Sequence, residues 1–232
     1  MSYTYLLVNF FTILIPFVFS FHPDIRFHKT WRAFFPAVLL TGICFIAWDI
    51  WFTHLGVWGF NEQYFIGINI GNLPLEEILF FFCIPYACVF TFYCLDLYFK
   101  KNLSKKREDD ITGVLTGFLL ISAVLFHQQI YTMVTFASLA LLLALARLYF
   151  KIDWLGKFYM VYVVLLIPFF IVNGILTGMV LDEPVVWYNE THIIGIRLGT
   201  IPLEDAFYAM ALILLNLMIY RGLSDRSSEC MS

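Results

Sequence analysis

Two pairs of neighbouring acids follow the same proline–leucine dipeptide at two distant points of the chain. The first pair is Glu76-Glu77 in the run PLEE, and the second is Glu204-Asp205 in the run PLED. Both runs lie beside apolar stretches, where desolvation and mutual repulsion disfavour neighbouring negative charges, so a buried cluster of these acids should retain a proton at neutral pH. Carboxyls that share a proton can supply both an acid and a base to one site. The pattern therefore predicts acid–base chemistry.

Each acid pair closes a longer motif that occurs twice. An offset of 128 residues aligns positions 61–77, NEQYFIGINIGNLPLEE, with positions 189–205, NETHIIGIRLGTIPLED, and nine of these 17 positions are identical. The apolar stretch before each acid pair is too short to cross a bilayer. It is also interrupted by two glycines, Gly67 and Gly71 in the first copy and Gly195 and Gly199 in the second. These features are typical of a re-entrant or interfacial segment that lines a cavity.

The prolines before the acids indicate where two helices begin. Pro74 and Pro202 suit a first helical turn, because proline there loses no intrahelical hydrogen bond. Neighbouring helical residues point about 100° apart, so one acid of each pair can face the bundle axis while the other faces the loop. Acids in a first turn also interact favourably with the helix dipole. Because four acids recur at two matching places, we favour a functional role for them over a purely structural one.

Polar and aromatic residues elsewhere are weaker candidates for the same site. Asp49 and Asn173 lie within apolar stretches, where each could line the cavity or bond a neighbouring helix. Aromatic rings can stabilise a cation by about 2 kcal/mol or more when desolvated. Three aromatic residues near the acids or within the adjoining helices are therefore further candidates for binding a substrate or stabilising a cation, namely Trp48, Phe80 and Tyr208.

Arg197 is a further candidate because it lies inside the second motif. We expect it to pair with Glu190, Glu204 or Asp205. The alternative is an arginine whose charged end reaches the membrane interface.

The elements that must position these residues are membrane helices. Of 232 residues, 61% are hydrophobic and 13% are charged, whereas soluble domains have about 45–50% and about 25%. This composition excludes a soluble monomer, a disordered chain and a disulfide scaffold. A spanning helix requires about 20 apolar residues, and apolar runs lie at positions 3–21, 33–52, 75–99, 111–126, 131–150, 158–177 and 201–220. The sequence thus predicts an all-α polytopic membrane bundle of seven transmembrane helices.

Basic residues indicate the orientation of this bundle. Thirteen Lys and Arg residues fall in loops on one side and only Arg197 on the other, which predicts a non-cytoplasmic N-terminus and a cytoplasmic C-terminus. Both motifs then lie on the non-cytoplasmic side, in two parallel three-helix repeats joined by helix 4. The predicted units are a first repeat with PLEE at 1–99, a basic cytoplasmic linker and helix 4 at 100–130, a second repeat with PLED at 131–220, and a polar cytoplasmic tail at 221–232.

Several cofactor and ligand classes lack their sequence signatures. No lysine falls within a predicted span to form a retinal Schiff base, and there is no glycine-rich dinucleotide fingerprint. The five cysteines lack the spacing of zinc ligands, and the basic residues are too scattered for a nucleic-acid surface. We expect no cofactor, no metal and no nucleic-acid partner, but contact with membrane lipid.

The twin PLEE and PLED motifs, each behind an asparagine–glutamate loop and a glycine-broken segment, resemble the membrane-integral lycopene cyclase domain family. The resemblance covers nearly the whole chain. In that family the two halves are fused, as here, or are separate three-helix polypeptides. The resemblance implies conversion of the linear ends of lycopene to β-ionone rings, giving γ-carotene and β-carotene. It also implies that the site contains Pro74, Glu76, Glu77, Pro202, Glu204 and Asp205.

This cyclisation is a redox-neutral isomerisation that suits carboxyl groups in an apolar pocket. One of the four acids would protonate the terminal double bond and another would remove a ring proton, without a flavin or a metal. The polyene substrate is expected to arrive from the bilayer of the cell membrane. Other enzymes of carotenoid biosynthesis, or a second copy of the chain, are further candidate partners.

Two other classes of protein stay open at this point. A proton-coupled transporter would also use paired carboxylates, parallel repeats and discontinuous segments. A carotenoid-binding or assembly protein without catalysis would tolerate replacement of the acids by amides.

Overall fold

Helices form most of the described chain. The computed structural model describes residues 3–229, with side chains described up to residue 224. Seven α-helices occur in this part, namely α1 (Thr4–Phe19), α2 (Trp31–His54), α3 (Leu75–Tyr98), α4 (Lys105–Leu125), α5 (Ile130–Ala144), α6 (Leu155–Leu176) and α7 (Leu203–Glu229). The all-α class is therefore confirmed. The predicted tail at 221–232 continues α7 as far as Glu229, and its last three residues, Cys230 included, lie outside the described residues.

Five of the helices are long and apolar enough to cross a membrane. Within the described residues these are Phe27–His54, Leu75–Tyr98, Ile130–Tyr149, Leu155–Leu176 and Leu203–Ser224. The chain is therefore a membrane protein by length and composition of its helices. Of the other two predicted spans, α1 is apolar but has only 16 residues. The sequence placed helix 4 at 111–126, whereas α4 begins at Lys105 and includes the charged run KKREDD in its first turns.

The glycine-broken segments, predicted as re-entrant or interfacial, contain short β-hairpins. In the first half, β2 (Asn69–Ile70) pairs with β3 (Leu73–Pro74), and in the second half β5 (Arg197–Leu198) pairs with β6 (Ile201–Pro202). Their turns contain Gly71 at φ 66° and Gly199 at φ 69°, a left-handed conformation that glycine adopts without a Cβ clash.

The hairpins fix where α3 and α7 begin. The backbone N–H of Leu75 donates to the Ile68 carbonyl at 2.8 Å, and that of Leu203 donates to the Ile196 carbonyl at 2.9 Å. The first residue of each helix therefore closes the hairpin. Pro74 and Pro202, predicted in the first helical turn, are instead the last strand residues before the helix, because their lack of an N–H is compatible with a strand end.

A third pair of strands joins the two halves at one end of the bundle. Strand β1 (Trp58–Phe60) pairs antiparallel with β4 (Val186–Tyr188), with Gly59 opposite Trp187. The order α1, α2, β1, β2, β3, α3 occurs again as α5, α6, β4, β5, β6, α7, and α4 lies between the two sets. Both acid pairs therefore lie beneath the same paired loops.

The opposite end of the bundle contains charged contacts between the halves. Lys157 of α6 donates to the backbone carbonyls of Phe99 and Lys101. Arg221 of α7 pairs with Asp96 of α3. These bonds attach the start of the connecting segment to the second half.

Candidate active site

A cavity of about 340 Å³ lies within the helical bundle, beneath the β1–β4 pair. Its walls come mainly from α1, α3, α6 and α7, so both halves of the chain contribute to it. Carboxyl, hydroxyl and indole groups are concentrated at the end near the paired strands, and the rest of the wall is mostly apolar. Residues of the apolar wall include Ile84 and Ala87 of α3, Leu165 and Phe169 of α6, and Leu212 of α7.

Glu77 and Asp49 form the carboxyl site contributed by the first half. Their exposed fractions are 8% and 1%, and both residues line the cavity. The Tyr5 hydroxyl donates to Glu77 Oε2. Asp49 Oδ1 accepts hydrogen bonds from Trp58 Nε1 at 2.5 Å and from Thr53 Oγ1 at 3.3 Å. The Asp49 and Glu77 carboxyls line the same cavity and interact electrostatically.

Asp205 forms the carboxyl site contributed by the second half. It is 5% exposed and lines the same cavity. Its Oδ1 accepts a hydrogen bond from the Tyr131 hydroxyl at 2.6 Å, and its Oδ2 accepts one from the Tyr188 hydroxyl at 2.9 Å. Burial, together with the charge of Asp205, raises the pKa of Tyr188 well above its ordinary value. Tyr188 therefore keeps its proton and remains a hydrogen-bond donor at neutral pH.

The other two predicted acids point to the loops. Glu76 and Glu204 are fully buried, yet neither lines the cavity. Glu76 Oε1 accepts the backbone N–H of Ile66 at 2.8 Å, and Glu204 Oε1 accepts that of Ile194 at 2.7 Å. Glu204 Oε1 also accepts a hydrogen bond from Thr132 Oγ1 at 2.5 Å. In each pair one acid thus faces the cavity and its neighbour holds the loop before the hairpin.

The weaker candidates from the sequence have different locations. Phe80, Asn173 and Tyr208 line the cavity, in addition to Asp49. Trp48 does not line it, but its ring packs against Tyr208 with 5.2 Å between centroids.

Arg197 lies outside the cavity, in the second hairpin. Its guanidinium pairs with Glu190 at 2.5 Å, one of the three partners expected, and donates to the Thr200 carbonyl at 2.7 Å.

Three tyrosines that donate hydrogen bonds to the carboxyls are not among the site residues predicted from the sequence. Tyr188 had a detectable signal, because it lies 128 residues after Phe60 and is therefore the polar member of a repeated aromatic position. Tyr5 and Tyr131 had no such signal. Each lies more than 70 residues from the acid it contacts, so only the packing of the helices brings donor and acceptor together.

The arrangement is suited to moving protons in an apolar space. Carboxyls from the two halves face one cavity, hydroxyl and indole donors hold them, and aromatic rings surround them. Up to residue 224, where the described side chains end, no Lys or Arg lines this cavity. In the described part of the chain, no group of three or more His, Cys, Asp or Glu side chains has an arrangement that could hold a metal ion.

A comparison with protein families gives one match over most of the chain. The family model described as lycopene cyclase matches residues 2–95 and residues 128–223. The two matched segments contain α1 to α3 and α5 to α7, except for the last residues of α3 and α7, and they leave α4 unmatched. No curated protein and no solved structure matches the chain.

Proposed function

Since this chain belongs to the lycopene cyclase family, we propose that it converts the linear ends of lycopene to β-ionone rings, giving γ-carotene and β-carotene. The main support for this proposal is the position of Glu77 and Asp205, which come from different halves of the chain and face one largely apolar cavity. The family match gives no support to the transporter considered above.

The proposed reaction is an intramolecular, redox-neutral isomerisation. A carboxylic acid donates its proton to the terminal double bond, and the neighbouring alkene attacks the resulting cation to form the ring bond. A carboxylate then removes a proton from a ring carbon, which restores a double bond. One proton enters the substrate and one leaves, so the reaction needs only an acid and a base held at the same substrate end.

The surroundings of the carboxyls support a cationic intermediate. Phe80, Trp58 and Tyr208 line the cavity near the acids, and aromatic faces attract a cation most strongly where water is excluded. The apolar walls limit access of water, which would otherwise capture the cation.

We assign Glu76 and Glu204 a positioning role in this mechanism. Each is one residue before a cavity-facing acid and bonds the backbone of its own loop. The bond holds the opening turn of the helix against the hairpin, and with it the direction of Glu77 or Asp205. Of the four acids predicted as catalytic, we therefore place proton transfer on Glu77 and Asp205.

The substrate is proposed to reach the cavity sideways from the bilayer. Phe11 and Ile15 of α1 line the cavity and are also exposed on the outer surface, as is Pro168 of α6. An opening between these helices would face the acyl chains. A long polyene could then insert one end while its remainder stays in the membrane.

We further propose seven transmembrane helices arranged as two parallel repeats in the cell membrane, with the C-terminus in the cytoplasm. The pairing of β1 with β4 supports this arrangement, as does the basic linker at the opposite end of the bundle. In a variant without native cysteines, Asp182→Cys should react with an impermeant maleimide on intact cells. Lys101→Cys should react only after lysis, and the reverse pattern would contradict the orientation.

Pigment analysis tests the proposed activity. The chain is expressed in cells that accumulate lycopene, and the extracted pigments are separated by chromatography. We expect new γ-carotene or β-carotene, whose ratio reports whether one end or both ends are cyclised. Unchanged lycopene, with the protein verified in the membrane, would overturn the proposal.

A further inference from the structure

The two halves surround their cavity-facing acids differently, although their motifs are alike. Glu77 shares the cavity wall with a second buried carboxyl of the first half, Asp49, and the two groups interact electrostatically. In the second half, the cavity-lining polar residue near the end of α6 is Asn173, an amide, whereas Asp49 lies near the end of α2. Among the residues whose side chains are described, the carboxyls that line the cavity are therefore two from the first half, Asp49 and Glu77, and one from the second, Asp205.

The surroundings of the Asp49–Glu77 pair favour a state in which the pair holds a proton. Asp49 Oδ1 already accepts two hydrogen bonds, whereas its Oδ2 is buried and meets no donor among the described residues. Among the residues whose side chains are described, none that lines the cavity is cationic and could balance two negative charges. Two buried carboxyls that interact electrostatically in one cavity are most stable when they share one proton.

The hydrogen bonds to Asp205 favour its carboxylate form, which can accept a proton. Hydroxyl donors bond both of its oxygens, Tyr131 on one and Tyr188 on the other. Hydrogen bonds to both oxygens stabilise the charged carboxylate. Glu204, the other acid of this motif, bonds its own loop and does not line the cavity beside Asp205.

We propose that the Asp49–Glu77 pair delivers the proton that starts ring closure and that Asp205 removes the ring proton that ends it. This assignment rests on the proposed cyclase function. It makes Asp49 a third functional carboxyl, as the partner with which Glu77 shares the proton. The pair loses a proton to the terminal double bond, the ring carbon–carbon bond forms, and Asp205 gains the proton lost from the ring.

The proton must return from Asp205 to the pair before the next ring is closed. Tyr208 lines the cavity together with the three carboxyls and interacts electrostatically with Asp49, Glu77 and Asp205. Its hydroxyl is buried and has no partner in the described part of the chain. We assign this hydroxyl to the return path, so that the three carboxyls together carry the same number of protons before and after each ring.

Deuterium labelling separates the two roles. Membranes containing the wild type or one variant are incubated with lycopene in deuterated water, and the recovered pigments are analysed by mass spectrometry and chromatography. An acid that works without its base will deuterate the substrate end. The cation then reverts to labelled lycopene or loses a proton at another carbon to give an isomeric ring. A base without its acid leaves lycopene unlabelled.

We expect Asp205→Asn to give labelled lycopene or isomeric rings, and Glu77→Gln and Asp49→Asn to reduce labelling at least about tenfold below Asp205→Asn. Glu62→Gln, an exposed acid of the first motif, serves as the control and should match the wild type. Labelling by Glu77→Gln with none by Asp205→Asn would reverse the roles, and equal behaviour of these variants would overturn the assignment. If the wild type forms no ring, the proposed function itself fails.

A second variant keeps the test decisive if Asp205→Asn does not accumulate in membranes. Tyr188→Phe removes one of the two donors to Asp205 and should raise the fraction of isomeric rings and of labelled lycopene. A product pattern identical to that of the wild type would contradict the role of Asp205.

Discussion

Glu76 and Glu204 make the same hydrogen bond in the two halves of the molecule. Each accepts the backbone N–H of the residue ten positions before it, Ile66 at 2.8 Å and Ile194 at 2.7 Å. The neighbouring acids, Glu77 and Asp205, face the cavity instead. One acid of each pair thus aligns the loop and the helix start, and the other is free to meet a substrate.

Replacement of the loop-facing acids should affect stability before chemistry. In Glu76→Gln the amide oxygen can still accept the Ile66 N–H, so ring formation should persist, whereas Glu76→Ala leaves this partly buried N–H unpaired, at a cost of up to about 1–3 kcal/mol. Thermal unfolding in detergent and pigment yield measure the two effects. A stable Glu76→Gln protein without any ring product would place Glu76 in the chemistry.

Trp58→Phe tests the donor that holds Asp49. The change removes the indole N–H, 2.5 Å from Asp49 Oδ1, and a hydrogen bond to a charged group contributes about 1.5–3 kcal/mol. Less stabilisation of the negative charge left on the pair makes proton delivery slower, and we expect a fall of at least about tenfold in the initial rate.

Trp187→Phe is the matched control for this change, because Trp187 lies in the partner strand and is 45% exposed. Its rate should stay near that of the wild type. Equal rates for the two variants would show that the Trp58 N–H does not assist the reaction.

The acid clusters show what can and cannot be predicted from the sequence. The repeated motif predicts the two acid pairs, the division of each pair between cavity and loop, and the helix starts to within a residue or two. Apolar runs identify the long helices. These features depend on neighbours along the chain, which is why their pattern is visible in it.

Other features depend on packing between distant residues. Tyr5 and Glu77 are 72 residues apart, so their contact exists only once α1 packs on α3. The start of α4 is predicted too late in the chain, because its charged run is typical of a loop. In the folded chain, however, Glu108 is buried and bonded to Lys105 and to the Gly156 N–H, which compensates the burial of charge. Tertiary contacts thus extend a helix that local sequence would end.

Two hairpin glycines should be similarly intolerant of substitution. Gly71 and Gly199 both have positive φ, where an L-residue costs about 1–2 kcal/mol. A Cβ at Gly71 would meet no neighbour, and one at Gly199 would lie 2.8 Å from Met179 Cε, the end of a flexible and exposed side chain that can turn away. We therefore expect Gly71→Ala and Gly199→Ala to lower thermal stability by similar amounts. Unchanged thermal stability in either variant would argue against this hairpin geometry.

Narrowing the apolar part of the cavity should discriminate between substrates of different length. Ala87 lines the cavity about two helical turns beyond Phe80. Because the larger side chain would narrow the cavity there, Ala87→Phe should reduce cyclisation of full-length lycopene more than that of a shortened polyene. Competition between the two substrates gives the ratio directly. Ile167→Phe, on the exposed face of α6, is the control, and an unchanged ratio in Ala87→Phe would contradict the proposed path of the chain.

A single comparison of variants tests most directly whether the carboxyls that face this cavity cyclise lycopene. Cells that accumulate lycopene express the wild type, Glu77→Gln or Glu62→Gln at equal membrane levels, and their pigments are quantified by chromatography. We expect ring products from the wild type and Glu62→Gln and none from Glu77→Gln. Ring products from Glu77→Gln at the wild-type level would contradict this expectation.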